Sequence, residues 1–123
     1  MADQAVANCV ALVVDDEPDI RYIVARVLGS AGYDVVEAPH GEAALELAFH
    51  AAPGLVITDF MMPVMGGVEL IARLRADERT AGIPIVLLTG TRGTVTGADA
   101  TVAKPFDHRE LVELADRLTG RTA

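Results

Sequence analysis

The amino-acid sequence predicts an α/β fold: a doubly wound sheet of five parallel strands with helices on both faces. Short apolar, β-branched runs alternate along the chain with segments in which apolar residues recur at helical spacing. Proline and glycine residues stand between many of these segments and mark turns. Right-handed crossovers place the carboxyl ends of all the strands at one edge of such a sheet. In the strand order 2-1-3-4-5, strands one and three flank the crevice where ligands bind.

Each predicted element follows from local composition. Five runs have the length and composition of buried strands: residues 10–14, 33–36, 55–58, 83–88 and 100–103. Pro18 suits the first turn of the helix after the first strand, and Asp107 caps the last helix. Four helices are predicted from apolar residues at helical spacing: Ile20, Ile23, Val24, Val27 and Leu28; Ala44, Leu45, Leu47 and Ala48; Val68, Leu70, Ile71 and Leu74; and Leu111, Val112, Leu114, Ala115 and Leu118.

Length and charge limit the classes of function. The 123 residues suit one domain, with a core expected at about residues 8–120. A net charge of −8 argues against nucleic acid or an anionic membrane as the main partner, because both require a basic surface. One cysteine, Cys9, permits no internal disulfide, which favours a reducing compartment. No signal peptide or membrane-spanning segment is predicted, so we expect a cytoplasmic protein.

Three carboxylates are predicted to converge at the sheet edge. Asp15 and Asp16 follow the first strand, and Asp59 ends the third. Like charges this close repel one another unless protons or a cation intervene. Mg²⁺ suits such a site, because it takes oxygen ligands and commonly shares them with a phosphoryl group. The alternative is that the three acids are unrelated residues of solvated turns. This explanation is weaker for all three together than for any one of them.

Two further side chains at the same edge suit a phosphoryl group. The hydroxyl of Thr89, after the fourth strand, can donate a hydrogen bond to one phosphoryl oxygen. Lys104, after the fifth strand, can neutralise another, and it is the only lysine in the chain. The Lys104–Pro105 step also admits a cis peptide bond.

Together these motifs resemble the signature of the response-regulator receiver domain, over roughly residues 8–120. The matching residues are Asp15-Asp16, Asp59 with Met62-Pro63 and Gly67, Thr89, and Lys104-Pro105-Phe106. The resemblance implies a flavodoxin-like receiver fold in which Asp59 accepts a phosphoryl group from a histidine kinase or phosphotransfer protein. It implies that Asp15, Asp16, Asp59 and the backbone carbonyl of Met61 bind Mg²⁺. It also implies no enzymatic activity beyond self-phosphorylation and hydrolysis of the acyl phosphate.

The sequence departs from the family pattern in two places. Thr101 stands where the fifth strand usually carries an aromatic residue, so the family's aromatic switch cannot be carried over. The stretch from Thr89 to Lys104 is shorter than usual by roughly seven residues, about two helical turns. Residues 91–99 contain two glycines and three threonines without apolar periodicity. We therefore expect the family's fourth helix to be absent or vestigial, with residues 90–99 as the switch element.

Signalling by protein contact is the expected output, because no DNA-binding segment follows the last helix; a fragment of a longer protein fits equally well. The docking surface for the kinase or phosphotransfer partner is predicted beside the crevice, with Arg21 as its exposed probe: Ile20, Arg21, Val24, Pro105 and Phe106. Three alternatives stay open at this point. They are a degenerate receiver that does not switch by phosphorylation, a flavin-binding protein of similar topology, and a metal-dependent phosphatase. The acidic pair and the scarcity of aromatics count against a flavin site.

Overall fold

Five parallel strands form one sheet in the order β2-β1-β3-β4-β5, as the sequence predicts. The structure, a computed structural model, describes residues 9–90 and 97–120. The strands are β1 (Val10–Val14), β2 (Asp34–Ala38), β3 (Leu55–Asp59), β4 (Ile85–Thr89) and β5 (Ala100–Ala103). The helices are α1 (Pro18–Ser30), α2 (Gly41–Ala51), α3 (Gly67–Ala76) and α4 (His108–Thr119). None of the described helices combines the length and hydropathy that crossing a bilayer requires.

The sheet separates two hydrophobic cores. On one face, α1 and α4 pack against the sheet through buried residues such as Val24, Leu28 and Leu111. On the other face, α2 and α3 do so through residues such as Ala48 and Leu74. All five residues of β3 are buried, which is typical of a central strand covered on both faces.

The strand and helix boundaries differ slightly from those predicted. The fourth strand begins at Ile85 rather than Ile83, because the Ile83 N–H donates to the Thr80 carbonyl in a turn. Pro84 then has no N–H to offer the ladder. Val68 was predicted to pack inward, but it is 48% exposed in the first turn of α3, outside the buried stripe of Leu70, Ile71 and Leu74.

Arg75 connects the carboxyl end of α3 to the segments around it. Its guanidinium donates to the carbonyls of Ala81 and Ile83, each at 2.7 Å, and to the carbonyl of Gly97 at 2.9 Å. It also donates to the Asp99 carboxylate at 2.7 Å. The Arg75 side chain is only 25% exposed, and it joins two separate stretches of main chain, residues 81–83 and Gly97, to the end of α3.

The predicted absence of a helix between β4 and β5 concerns residues 91–96, which lie outside the described residues. On either side of them, Gly90 and residues 97–99 are not helical. Gly97 has a φ of +97°, and a Cβ placed there would lie 2.8 Å from Cγ2 of Ile71. The end of the connection from β4 to β5 therefore lies directly against α3, which explains why a glycine stands there.

Candidate functional site

Asp59 ends β3 and is almost fully buried, since its side chain is only 8% exposed. The chain turns immediately after it, and the Gly67 N–H donates to the Phe60 carbonyl at 3.0 Å. A Cβ at Gly67 would collide with the carbonyl oxygen of Asp59 and would lie 3.0 Å from Cδ1 of Leu87. Only glycine allows α3 to begin this close to the end of β3, so Gly67 has a structural role at the site.

Asp15 and Asp16 reach the same place from the end of β1. One carboxylate oxygen from each of them and one from Asp59 lie within 4.8 Å of one another. Asp15 is 1% exposed, and its Oδ1 accepts the Glu17 N–H at 2.9 Å. Asp16 is exposed at the mouth of the cluster. The predicted convergence of the three carboxylates is therefore confirmed as geometry.

Lys104 brings a cation into the acidic cluster from the end of β5. Its Nζ lies 2.7 Å from Asp59 Oδ1 and 3.5 Å from Asp15 Oδ2. The ammonium side chain is 22% exposed, and the Lys104–Pro105 peptide bond is cis. Lys104 contacts two of the three carboxylates, so the formal charges of the cluster do not balance.

The environment of the cluster shifts the pKa of Asp15 and the pKa of Lys104. Burial raises the pKa of Asp15 above its ordinary value, and the nearby charge of Asp59 adds to this, against the opposing Glu17 N–H and Lys104. Burial alone would lower the pKa of Lys104, but its hydrogen bond to Asp59 and the two carboxylate charges raise it overall. In both groups the charge of Asp59 contributes to the higher pKa, although burial is the larger cause for Asp15.

Thr89 lies at the end of β4, next to β3 in the sheet. It is 5% exposed, and its carbonyl accepts the Lys104 N–H at 2.8 Å. The ladder pairs Asp59 with Leu88 and Thr89 with Ala103. The register thus brings the ends of β3, β4 and β5, with Asp59, Thr89 and Lys104, to one edge of the sheet.

The donor set of the cluster suits a hard divalent cation. All three side chains offer carboxylate oxygens, the ligands that Mg²⁺ and Ca²⁺ prefer, and no soft ligand is among them. The exposure of Asp16 leaves one side open to water, which Mg²⁺ commonly retains as a ligand. The thioether side chain of Met61 is 72% exposed, and a role for its backbone carbonyl stays a prediction.

The predicted docking residues differ in their exposure to solvent. Pro105 is exposed, while Ile20 and Phe106 are half-buried against the core. Val24 is fully buried, so its predicted contact with a partner is wrong. It belongs to the part of the apolar stripe of α1 that packs on the sheet. Arg21 was expected to be exposed, but its side chain is 20% exposed and bonded to neighbouring groups.

Sequence reasoning missed two features near the site. Arg21 donates to the Asp15 carbonyl at 2.9 Å and to Glu37 Oε1 at 3.1 Å, and no sequence motif signals either bond. A groove of about 680 Å³ also lies between α1 and α4, and its lining includes Tyr22, Ile23 and Val112. The sequence signal that could have indicated the groove is the number of apolar residues in α1, which exceeds what one sheet-facing stripe requires. In the structure, Ile23 is one of those that remain exposed.

Comparison with known proteins gives a consistent result. The family model described as the response regulator receiver domain matches residues 11–116. The chain is 39% identical to the phosphate regulon transcriptional regulatory protein PhoB of Pseudomonas aeruginosa, covering 90% of this chain and 52% of that protein. It is 39% identical to the DNA-binding dual master transcriptional regulator RpaA of Synechocystis, covering 90% of this chain and 49% of that protein. The chain thus spans about half the length of these curated relatives.

A solved structure shows the same architecture over nearly its full length. The chemotaxis protein CheY4 of Vibrio cholerae superposes with a TM-score of 0.86 at 33% identity. The superposition covers 91% of this chain and 99% of that one.

Proposed function

The chain belongs to the response regulator receiver domain family, and on that premise we propose that Asp59 accepts a phosphoryl group. The donor is a phosphohistidine of a histidine kinase or of a histidine phosphotransfer protein. Residues from about 8 to 120 form a single receiver domain, which signals to a downstream protein by direct contact. The half-buried single thiol of Cys9 suits the reducing cytoplasm as the place of this reaction.

The observation that carries the proposal is the ion pair between Lys104 and Asp59 at 2.7 Å, inside a cluster of three carboxylates. A carboxylate at the end of a strand, with one oxygen accepting from an ammonium, still has a second oxygen that can serve as a nucleophile. The same ammonium is close enough to pass from the carboxylate to an oxygen of an incoming phosphoryl group. A purely structural ion pair would not require two further acids beside it.

In the proposed reaction, a carboxylate oxygen of Asp59 attacks phosphorus in line with the leaving imidazole nitrogen. The new O–P bond makes an acyl phosphate, and the N–P bond breaks with its electron pair returning to the imidazole. Lys104 neutralises charge on the transferred group, and the Thr89 hydroxyl donates a hydrogen bond to one of its oxygens. Later attack of water on phosphorus regenerates the Asp59 carboxylate and releases inorganic phosphate.

Asp15, Asp16, Asp59 and the Met61 carbonyl would hold Mg²⁺ at this site. When bound, Mg²⁺ supplies charge neutralisation for the phosphoryl oxygens and the attacking carboxylate. The reaction acts on the protein itself, so no turnover of an external substrate is proposed.

The direct test is intact-mass measurement after incubation with acetyl phosphate and Mg²⁺. Wild type should gain the mass of one phosphoryl group, and both Asp59→Asn and a metal chelator should abolish the gain. Asp19→Asn is the matched control, because Asp19 is an exposed acid in the first turn of α1 and should leave the adduct intact. An adduct that persists in Asp59→Asn would mean that the acceptor is another residue.

We further propose that the phosphoryl donor docks on α1 and the turn after β5, around Ile20, Pro105 and Phe106. Ile23 is the better probe of this surface than Arg21, since it is 40% exposed and lines the groove between α1 and α4. Ile23→Ser should slow phosphoryl transfer from a protein donor and leave transfer from acetyl phosphate unchanged. Equal slowing with both donors would place the defect in the site rather than in docking.

A further inference from the structure

We infer that Arg21 is a positioning residue for the cation site, because it orients the peptide group that joins Asp15 to Asp16. The inference rests on the proposed function, in that it takes the acidic cluster to bind Mg²⁺. It concerns how the two adjacent acids are held, which the carboxylate geometry alone does not explain.

Arg21 reaches back from the first turns of α1 to the end of β1. Its Nη1 donates to the carbonyl oxygen of Asp15 at 2.9 Å, and its Nε donates to Glu37 Oε1 at 3.1 Å. The side chain is only 20% exposed, which keeps the guanidinium in this geometry. Arg21 therefore bridges the ends of two neighbouring strands, β1 and β2.

Among the described residues, the other hydrogen bonds of Asp15 do not involve its carbonyl group, so Arg21 is the contact that orients it. The Asp15 N–H donates to the Ala38 carbonyl at 3.2 Å, and its carboxylate accepts the Glu17 N–H. Because a peptide group is planar, fixing the Asp15 carbonyl oxygen also fixes the N–H and Cα of Asp16. Within residues 9–90 and 97–120, no hydrogen bond or ion pair engages the Asp16 carboxylate itself. Its direction thus depends on the main chain.

This dependence matters because the carboxylates repel one another. Lys104 bonds to Asp59 and lies near Asp15, but it makes no such contact with Asp16. Without the bond to Arg21, the Asp15–Asp16 peptide could turn and carry the exposed Asp16 away from the other two acids. The cluster would then offer a cation two fixed carboxylates instead of three, and outer contacts of this kind typically change metal affinity by about 10- to 100-fold.

The sign of the effect separates positioning from charge. Arg21 is positive, so removing it should strengthen Mg²⁺ binding if its charge were all that mattered. Positioning predicts the opposite, a weaker site in spite of the more favourable charge. Arg21→Lys adds a second distinction, because it keeps the charge but cannot bridge Asp15 and Glu37 with a planar fork.

The test is calorimetric titration of the whole chain with Mg²⁺, with the fold of each variant checked by circular dichroism. Arg21→Met should weaken Mg²⁺ binding about tenfold, and Arg21→Lys should weaken it by a smaller factor, about threefold. Arg26→Met is the matched control: it removes one positive charge from the same helix, where Arg26 is exposed and bonds only to Tyr22 among the described contacts. Its Mg²⁺ affinity should stay within about twofold of wild type, since its charge is screened by solvent.

A second measurement separates the positioning role from general damage. Phosphorylation of Arg21→Met by acetyl phosphate should recover at saturating Mg²⁺, because Asp59, Thr89 and Lys104 are unchanged. Equal or tighter Mg²⁺ binding in folded Arg21→Met, or unchanged binding in Arg21→Lys, would overturn the inference alone. A wild-type protein that binds no Mg²⁺ would instead refute the metal site in the proposed function, and this inference with it.

Discussion

Replacing Arg75 by methionine should destabilise the domain far more than its position near the end of a helix suggests. The substitution keeps a long, unbranched side chain with good helix propensity but removes the guanidinium. Four acceptors then lose a donor: the carbonyls of Ala81, Ile83 and Gly97 and the carboxylate of Asp99.

The magnitude follows from the burial of these groups. A net gain of about 1 kcal/mol for each of the three carbonyl bonds is a reasonable central value. The ion pair with Asp99 adds only about 0.5 kcal/mol, because the Asp99 side chain is 41% exposed and solvent screens the pair. Water reaches part of the vacated space, since Arg75 is itself 25% exposed, so a total of about 2 to 3 kcal/mol is expected.

Arg73 provides the matched control. It lies two residues earlier on the same helix, and its side chain is 56% exposed in an i,i+4 pair with Glu69. Arg73→Met should therefore cost less than about 0.5 kcal/mol. Both variants replace an arginine of α3 by methionine. They differ in the contacts that the lost guanidinium made.

Urea denaturation followed by far-ultraviolet circular dichroism measures both variants, because the chain has no tryptophan for fluorescence. A loss of 2 to 3 kcal/mol in Arg75→Met should also lower the melting temperature by about 8 to 15 °C. A loss under about 1 kcal/mol, or equal losses in the two variants, would refute the reasoning. That result would mean that the hydrogen bonds of Arg75 contribute little to the free energy of unfolding.

Three further changes test other features. Val64 is 94% exposed with a φ of +69°, so Val64→Asn should raise the free energy of unfolding by about 1 kcal/mol, and an unchanged or lower value in urea would contradict a strained backbone there. Gly67→Ala should destabilise the domain by about 1 to 3 kcal/mol and slow phosphorylation by acetyl phosphate, because the added Cβ collides with the Asp59 carbonyl; a normal rate and stability would show that α3 can shift freely. The side-chain bond from Arg79 lowers the pKa of Asp77 from 3.8 to about 2, so this interaction stabilises the fold above pH 3.8 and is lost as the pH falls towards 2. In Arg79→Met, carbon-detected NMR titration should find the Asp77 pKa raised towards its ordinary value, and an unchanged pKa would assign the shift to another cause.

The strands and the candidate site could be predicted because both are marked by short-range patterns in the sequence. Buried parallel strands are nearly all apolar, so an acid such as Asp59 that follows one stands out. Once the order of the sheet is known, the carboxyl ends of the strands must share an edge, and Asp15 and Lys104 follow without further information. The resemblance to a known family rests on these same residues.

The contacts of Arg21 and Arg75 could not be predicted for a physical reason. Most of their partners are main-chain carbonyl groups, which every residue carries, so no side-chain pattern marks them. Their bonds depend on where a helix end lies relative to a strand end, which only tertiary packing decides. Val24 was predicted both in the apolar stripe of α1 and on the docking surface. Periodicity alone does not separate the sheet-facing residues of α1 from those that line the groove.

The burial of β3 has a consequence for the dynamics of the domain. This strand is paired on both edges, with β1 and β4, and covered on both faces. Amides in such a position usually exchange with solvent only when the whole domain unfolds. The carboxylate of Asp59 therefore projects from the strand that we expect to open least readily. If Asp59 is phosphorylated as proposed, β3 would serve as the fixed reference against which other parts of the domain move.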